Sequence, residues 1–166
     1  MIYSSAGAFA GRVGFSYLSE ALGRRLSGVV FGFGAAILVL ITAYSNQLSL
    51  GSVSLFWLIM ILAFAFADGG FAIVGPYAAE VWPMRLRASG MGSAYGFGGI
   101  GKIIGPLGLA LIVGSSDVVK PEASIAKIVP AFAYLAAWFV LAGLVYAFLG
   151  FETKGMSIQQ ISSELH

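Results

Sequence analysis

Cysteine is absent from this 166-residue sequence, which excludes disulfides, thiolate metal sites and thiol nucleophiles together. Histidine occurs once, as the final residue His166, so no imidazole base or ligand can be built inside a fold. Charge is scarce as well: 10% of residues are Asp, Glu, Lys or Arg, against roughly a quarter in ordinary soluble domains. The formal net charge of +2 is dispersed, with no basic stripe or basic helix, so nucleic acid is not an expected partner. The N-terminus lacks the basic segment that precedes a signal peptide. The residue inventory supplies no metal cluster, no cofactor site and no nucleophile–base constellation, and the chain is not expected to be an enzyme.

What is plentiful is apolar length. Hydrophobic residues make up 59% of the chain and the mean hydropathy is +0.93. Five apolar stretches run over Met1–Leu18, Leu26–Ser45, Val53–Ala79, Ser89–Val113 and Val129–Phe151. At 1.5 Å per residue, each has about the length a helix needs to cross a hydrocarbon core ~30 Å thick. Their length and lack of alternation exclude barrel strands. The sequence therefore predicts an all-α membrane protein, with five transmembrane helices over 1–151 and a tail over 152–166.

Basic residues in short loops set the orientation. Arg24 and Arg25 occupy the first loop, and Arg85 and Arg87 the third. The second, Asn46–Ser52, is uncharged, and Asp117, Lys120, Glu122 and Lys127 cancel in the fourth. Loops one and three and the C-terminal tail are expected inside, with Met1 outside. Trp57 and Trp82 fall near opposite ends of the third stretch, where amphipathic rings prefer the interface.

The 23 glycines recur at one-turn spacing in Gly7-x-x-x-Gly11, Gly28-x-x-x-Gly32, Gly92-x-x-x-Gly96 and Gly101-x-x-x-Gly105, a pattern that lets helices approach closely in lipid. The fourth helix carries the most and is expected to be the most tightly packed or the most bendable, with a kink favoured at Pro106. Gly96, Gly98 and Gly101 also spell G-x-G-x-x-G. No strand precedes it, so a dinucleotide site is not expected there.

Three ionisable residues interrupt the apolar stretches. Asp68 lies ~16 Å from the inner end of the third helix, near the midplane; Lys102 lies ~20 Å into the fourth; Arg12 lies ~9 Å from the inner end of the first. A charge at the bilayer centre costs at least ~2.5–3.5 kcal/mol, so such residues face a wet cavity or a partner. Asp68 is a candidate for proton coupling or substrate orientation; the plain alternative is a neutralising pair with Lys102 or Arg12. Lys102 is a candidate for an anionic substrate group, or for pairing or snorkelling. Arg12 is a weaker candidate, close enough to the inner surface to snorkel. Stretches two and five, uncharged, are expected to face lipid. In the tail, Ile158, Ile161 and Leu165 share one face of a short amphipathic helix, which is expected either to lie on the inner membrane surface or to fray into solvent.

Three segments carry a family resemblance. Gly14 to Arg25 reads GFSYLSEALGRR and resembles the signature loop of the major facilitator superfamily in its second-half copy, between helices eight and nine. Gly23, Arg24 and Arg25 match that loop, while Ser16, Glu20 and Ala21 depart from it. Pro76 to Gly92 reads PYAAEVWPMRLRASGMG and resembles the loop between helices ten and eleven in the sugar-porter and metabolite:H⁺ symporter branches. Phe151-Glu152-Thr153-Lys154-Gly155 resembles the Pro-Glu-Thr-Lys-Gly motif after helix twelve, with Phe151 in place of Pro. The resemblance covers essentially the whole chain.

The resemblance implies helices eight to twelve of a twelve-helix transporter, with helix seven and the N-terminal half lying elsewhere. It implies that Glu20, Arg24, Arg25, Glu80, Arg87 and Glu152 form an inner charge gate that breaks and reforms as two halves rock. The plain alternative is positive-inside anchoring, which does not call for Glu80 and Glu152. It also implies transport of a small polar metabolite, a sugar or an organic acid, coupled to H⁺ across the plasma membrane. The rival reading is a truncated remnant that no longer transports and assembles with another membrane protein.

Overall fold

In a computed structural model of the protein, residues 2–45, 48–50, 53–114 and 127–165 are described. Of the fourth-loop charges, Asp117, Lys120 and Glu122 lie outside the described residues, as does His166. Apart from connecting loops, the described chain is helical with one short antiparallel ladder, β1 (Ser49–Leu50) with β2 (Val53–Ser54), paired Ser49 to Ser54 and Leu50 to Val53. Five long helices follow in order: α1 (Ile2–Leu22), α2 (Arg24–Tyr44), α3 (Leu55–Val81), α4 (Arg87–Val113) and α5 (Ile128–Leu149). A short α6 (Ile158–Leu165) ends the chain.

Four of these, α2 to α5, are long and apolar enough to cross a membrane. The sequence predicts five such helices, and α1 is the exception. Its 21 residues suffice in length, but Arg12, Glu20 and its serines and tyrosines dilute its apolar character. A helix of this kind is held in a membrane by packing and charge pairing rather than by hydropathy alone.

The most extensive contacts join α2 to α5, α1 to α3 and α2 to α3. Small residues make them possible. A Cβ on Gly11 of α1 would run into the backbone of Ala65 in α3, and one on Gly32 of α2 into the backbone of Gly143 in α5. Gly28 lies under the Tyr146 ring and Gly70 under Phe31. Aromatic rings fill the space between these seams. Phe15 stacks edge-on against Phe66 at 5.1 Å and Phe31 against Phe139 at 5.8 Å, with Ile73 fully buried beside them. A second cluster gathers Ala36, Val39, Ala63 and Ala136.

Two expectations are corrected. α2, whose apolar stretch from Leu26 onward is uncharged and expected to face lipid, is the most buried of the candidate spans at 50%, because its Gly and Ala residues admit α3 and α5 closely. Glycine-rich α4, expected to be the most tightly packed or the most bendable, is not tightly packed among the described residues: it is the least buried candidate span at 6%. Among the described residues, nothing within 4 Å would meet a Cβ on Gly92, Gly96, Gly98, Gly99, Gly101 or Gly105. A glycine stripe permits close approach but supplies no partner. α4 touches the bundle through Trp82 over Gly90 at one end and through Tyr134, whose hydroxyl donates to the Ile104 carbonyl at 3.0 Å.

Candidate functional site

Ionisable residues concentrate in two places: midway along the α1–α3 seam, and at the seam's arginine-bearing end.

At the first, Arg12 and Asp68 form a two-point ion pair. Nε of Arg12 donates to Oδ2 of Asp68 at 2.6 Å and Nη2 to Oδ1 at 3.1 Å. This parallel fork is the strong geometry of a guanidinium on a carboxylate. The Asp68 side chain is 17% exposed and that of Arg12 57%, so the carboxylate is covered while the guanidinium keeps an open side. The guanidinium carbon also lies 5.7 Å from the centroid of the Phe71 ring, a cation–π distance. Gly11 makes the pair possible: the contact of its helix with the Ala65 backbone places residues 12 and 68 on facing turns. Of the two partners open to Asp68 in the sequence, the structure selects Arg12. Lys102 on α4 is exposed and makes no ion pair among the described residues.

At the second place, the tail crosses the ends of α1, α2 and α3. Nη2 of Arg24 meets Oε1 of Glu80 at 2.9 Å, while Nη1 donates to the Ser19 hydroxyl at 2.9 Å. Thr153 donates its hydroxyl to the other Glu80 oxygen. Glu152 accepts the backbone N–H of Arg24 at 2.9 Å and that of Arg25 at 3.3 Å, capping the first turn of α2. A carboxylate here satisfies orphan donors and complements the positive end of the helix. Gly23, at φ 95, makes the turn into α2, and any side chain there would strike the Glu152 carboxylate. Lys154 donates to the Ala21 carbonyl at the C-terminal end of α1 at 2.6 Å, and the Tyr77 hydroxyl accepts the Phe151 N–H at 2.7 Å.

The six residues expected to form one charge gate are therefore divided. Arg24, Glu80 and Glu152 come together. Arg25 contributes its backbone N–H and also donates from its guanidinium to the Ala147 carbonyl. Glu20 makes no ion pair among the described residues but lines a cavity of about 390 Å³ with Arg24, Glu80 and Lys154. Arg87 stands apart, with Nε and Nη2 buried and without a hydrogen-bond partner among the described residues. Ser19, Tyr77, Thr153 and Lys154 were not singled out from sequence. The last two lie in the Glu-Thr-Lys-Gly segment, but Ser19 and Tyr77 carry no local signal of their contacts.

In the tail, Ile161 is buried at 2% exposure and α6 packs against α3. This apolar residue faces protein, not a membrane surface.

Residues 2–165 match the family model described as "Sugar (and other) transporter". The synaptic vesicle 2-related protein of Bos taurus is 28% identical over 98% of this chain and 27% of its own length. The inner membrane metabolite transport protein YdjE of Escherichia coli K12 is 30% identical over 78% of this chain and 27% of its own. A probable inorganic phosphate transporter 1-3 of Oryza sativa subsp. japonica is 35% identical over 57% of this chain and 19% of its own. No solved structure matches. The chain thus spans about a quarter of the length of the curated relatives it matches most fully. With apolar helices for a membrane, a charge pair set among them and a family match from end to end, this chain is an integral membrane protein of the sugar-porter family in the major facilitator superfamily.

Proposed function

We propose that this chain supplies helices eight to twelve of a twelve-helix transporter that moves a small polar metabolite, a sugar or an organic acid, by alternating access coupled to H⁺. α1 to α5 are its spans, the arginine-bearing end and the tail face the cytoplasm, and the membrane is the plasma membrane. The observation that carries this reading is the Arg12–Asp68 pair: two opposite charges within apolar helices, one of them open on one side. Charges at that depth are expensive in lipid and are retained where they face a wet pathway. In transporters built from repeats, substrate and coupling-ion sites lie near the midplane, the depth at which the sequence puts Asp68.

Asp68, Arg12 and Lys102 are then the substrate and proton-coupling residues. Lys102 joins the site from α4 when the remaining helices cover the open face of that helix. The cluster of Glu80, Arg24, Glu152 and the tail braces the cytoplasmic ends of α1, α2 and α3 within this half. Glu20, Arg25 and Arg87 remain the gate residues available to the other half. Arg87, whose buried Nε and Nη2 lack a partner among the described residues, is the foremost of these. The open face of α4 equally suits assembly with a different membrane protein, an alternative that the following uptake test separates from transport.

The test is gradient-driven uptake of a panel of sugars and organic acids by proteoliposomes holding the complete transporter, with and without Asp68→Asn. Loss of accumulation with retained substrate exchange supports the reading. Unchanged accumulation removes Asp68 from the coupling step.

A further inference from the structure

Arg12 has five N–H donors in a planar fork. Asp68 engages one from Nε and one from Nη2, and the remaining three lie on the side that is open. A guanidinium 57% exposed within a membrane-spanning bundle is stable only against water or a counter-charge. Phe71 stands beside it at 5.7 Å and, itself 60% exposed, walls one side of the approach. Gly11 rests on the Ala65 backbone, which sets α1 against α3 with the pair made. A ligand that competes for the guanidinium, together with a proton on Asp68, releases it.

We infer that the substrate class is a singly charged organic or inorganic anion, whose acidic group binds the open side of Arg12 and takes it from Asp68, and that one proton enters with each anion. The inference rests on the transport reading above. Before binding, Arg12 and Asp68 sum to zero charge. With a singly charged anion on Arg12 the site would hold one uncompensated negative charge, which the low-dielectric surroundings oppose. A proton on Asp68 restores zero: Arg12 stays cationic, the anion is neutralised by it, and Asp68 becomes a neutral acid. Both leave together on the other side, and Asp68, deprotonated, returns to Arg12.

Among the described residues Arg12 is the charged group facing Asp68. α2 carries no ionisable residue between Arg25 and Tyr44, and Tyr95 and Lys102 of α4 make no hydrogen bond to it; α6 packs against α3 at the arginine-bearing end, where Ile161 lies beside Arg24 and Glu80. A neutral sugar does not fit this chemistry. Its hydroxyls would have to replace two charge-assisted bonds by weaker neutral ones.

Proteoliposomes holding the complete transporter, probed separately with gluconate, quinate, inorganic phosphate at mildly acidic pH where it is mostly singly charged, and glucose, test this with an internal pH dye. The expected result is accumulation of at least one anionic probe with a matching count of protons, driven by a pH gradient and not by membrane potential alone. Arg12→Lys, which keeps charge but loses the fork, should raise KM for that anion about tenfold. The double variant R12Q/D68N leaves no orphan charge and should fold, yet lose both anion and proton uptake. Glucose accumulation, or anion uptake unchanged in R12Q/D68N, overturns the inference and leaves the transport reading standing. Failure of every probe to accumulate overturns both.

Discussion

The backbone N–H of Arg24 and the carboxylate of Glu152, 128 residues apart in sequence, meet at 2.9 Å. The tail thereby caps the first turn of α2, and the helix start depends on a side chain from the far end of the chain. Glu152→Ala should lower stability by about 1 kcal/mol, the usual worth of a helix N-terminal cap. Thermal unfolding in detergent checks it, and Glu152→Gln, which keeps one acceptor oxygen, should fall between. A melting curve identical to wild type would show that water caps α2 equally well.

Glu80 holds Arg24 on one side and Thr153 on the other. Glu80→Ala frees both, so the tail should detach while the helices persist. Limited trypsin digestion after the exposed Lys154 should become several-fold faster, with little change in helical content by circular dichroism. Equal digestion rates would mean that Glu152 and Lys154 retain the tail unaided.

Gly11 and Gly99 separate two meanings of a membrane glycine. At Gly11 a methyl group meets the Ala65 backbone, so Gly11→Ala should cost about 1–3 kcal/mol by overpacking. At Gly99 nothing lies within reach, and Gly99→Ala in this chain should be neutral or stabilising by up to about 1 kcal/mol through helix propensity. Comparing the two unfolding midpoints decides the matter. Equal losses would place an unseen partner on α4.

Arg12 and Asp68 should be coupled in stability as well as in transport. Arg12→Gln alone strands a largely covered carboxylate, whereas R12Q/D68N strands nothing. The double variant should therefore unfold at the higher temperature, and the four-way comparison isolates the pair. A single variant as stable as the double would show that water already solvates Asp68.

How much of this was legible follows from how far each interaction reaches along the chain. The apolar helices α2 to α5 are local facts, since hydropathy over about twenty residues suffices. The cost of burying Asp68 made a partner necessary, and the sequence narrowed it to Arg12 or Lys102. The choice was unavailable because it depends on the rotation of α1 against α3, fixed by Gly11 on Ala65. α2 set two signals in opposition: absence of charge suggested lipid, while Gly28 and Gly32 suggested contact. Contact prevailed, since Tyr146 and Gly143 fit against those glycines. For α4 the glycines from Gly92 to Gly105 meet no partner among the described residues. Glu152 carried no local cap signature, because it serves a helix 128 residues upstream.

The most direct test of the account is water access at Phe71, the residue beside Arg12. The chain has no cysteine, so with any cysteines elsewhere in the complete transporter replaced, Phe71→Cys and Phe148→Cys each introduce a single thiol. Both positions are exposed, Phe71 at 60% and Phe148 at 80%, but the account puts the first on the wet side of α3 and the second against lipid. In the complete transporter in native membranes, a membrane-impermeant thiol reagent should label Phe71→Cys rapidly and leave Phe148→Cys untouched, with labelling at 71 slowed by the transported anion. If the two positions label alike, or only position 148 reacts, Arg12 and Asp68 do not line a water-filled site and the central claim fails.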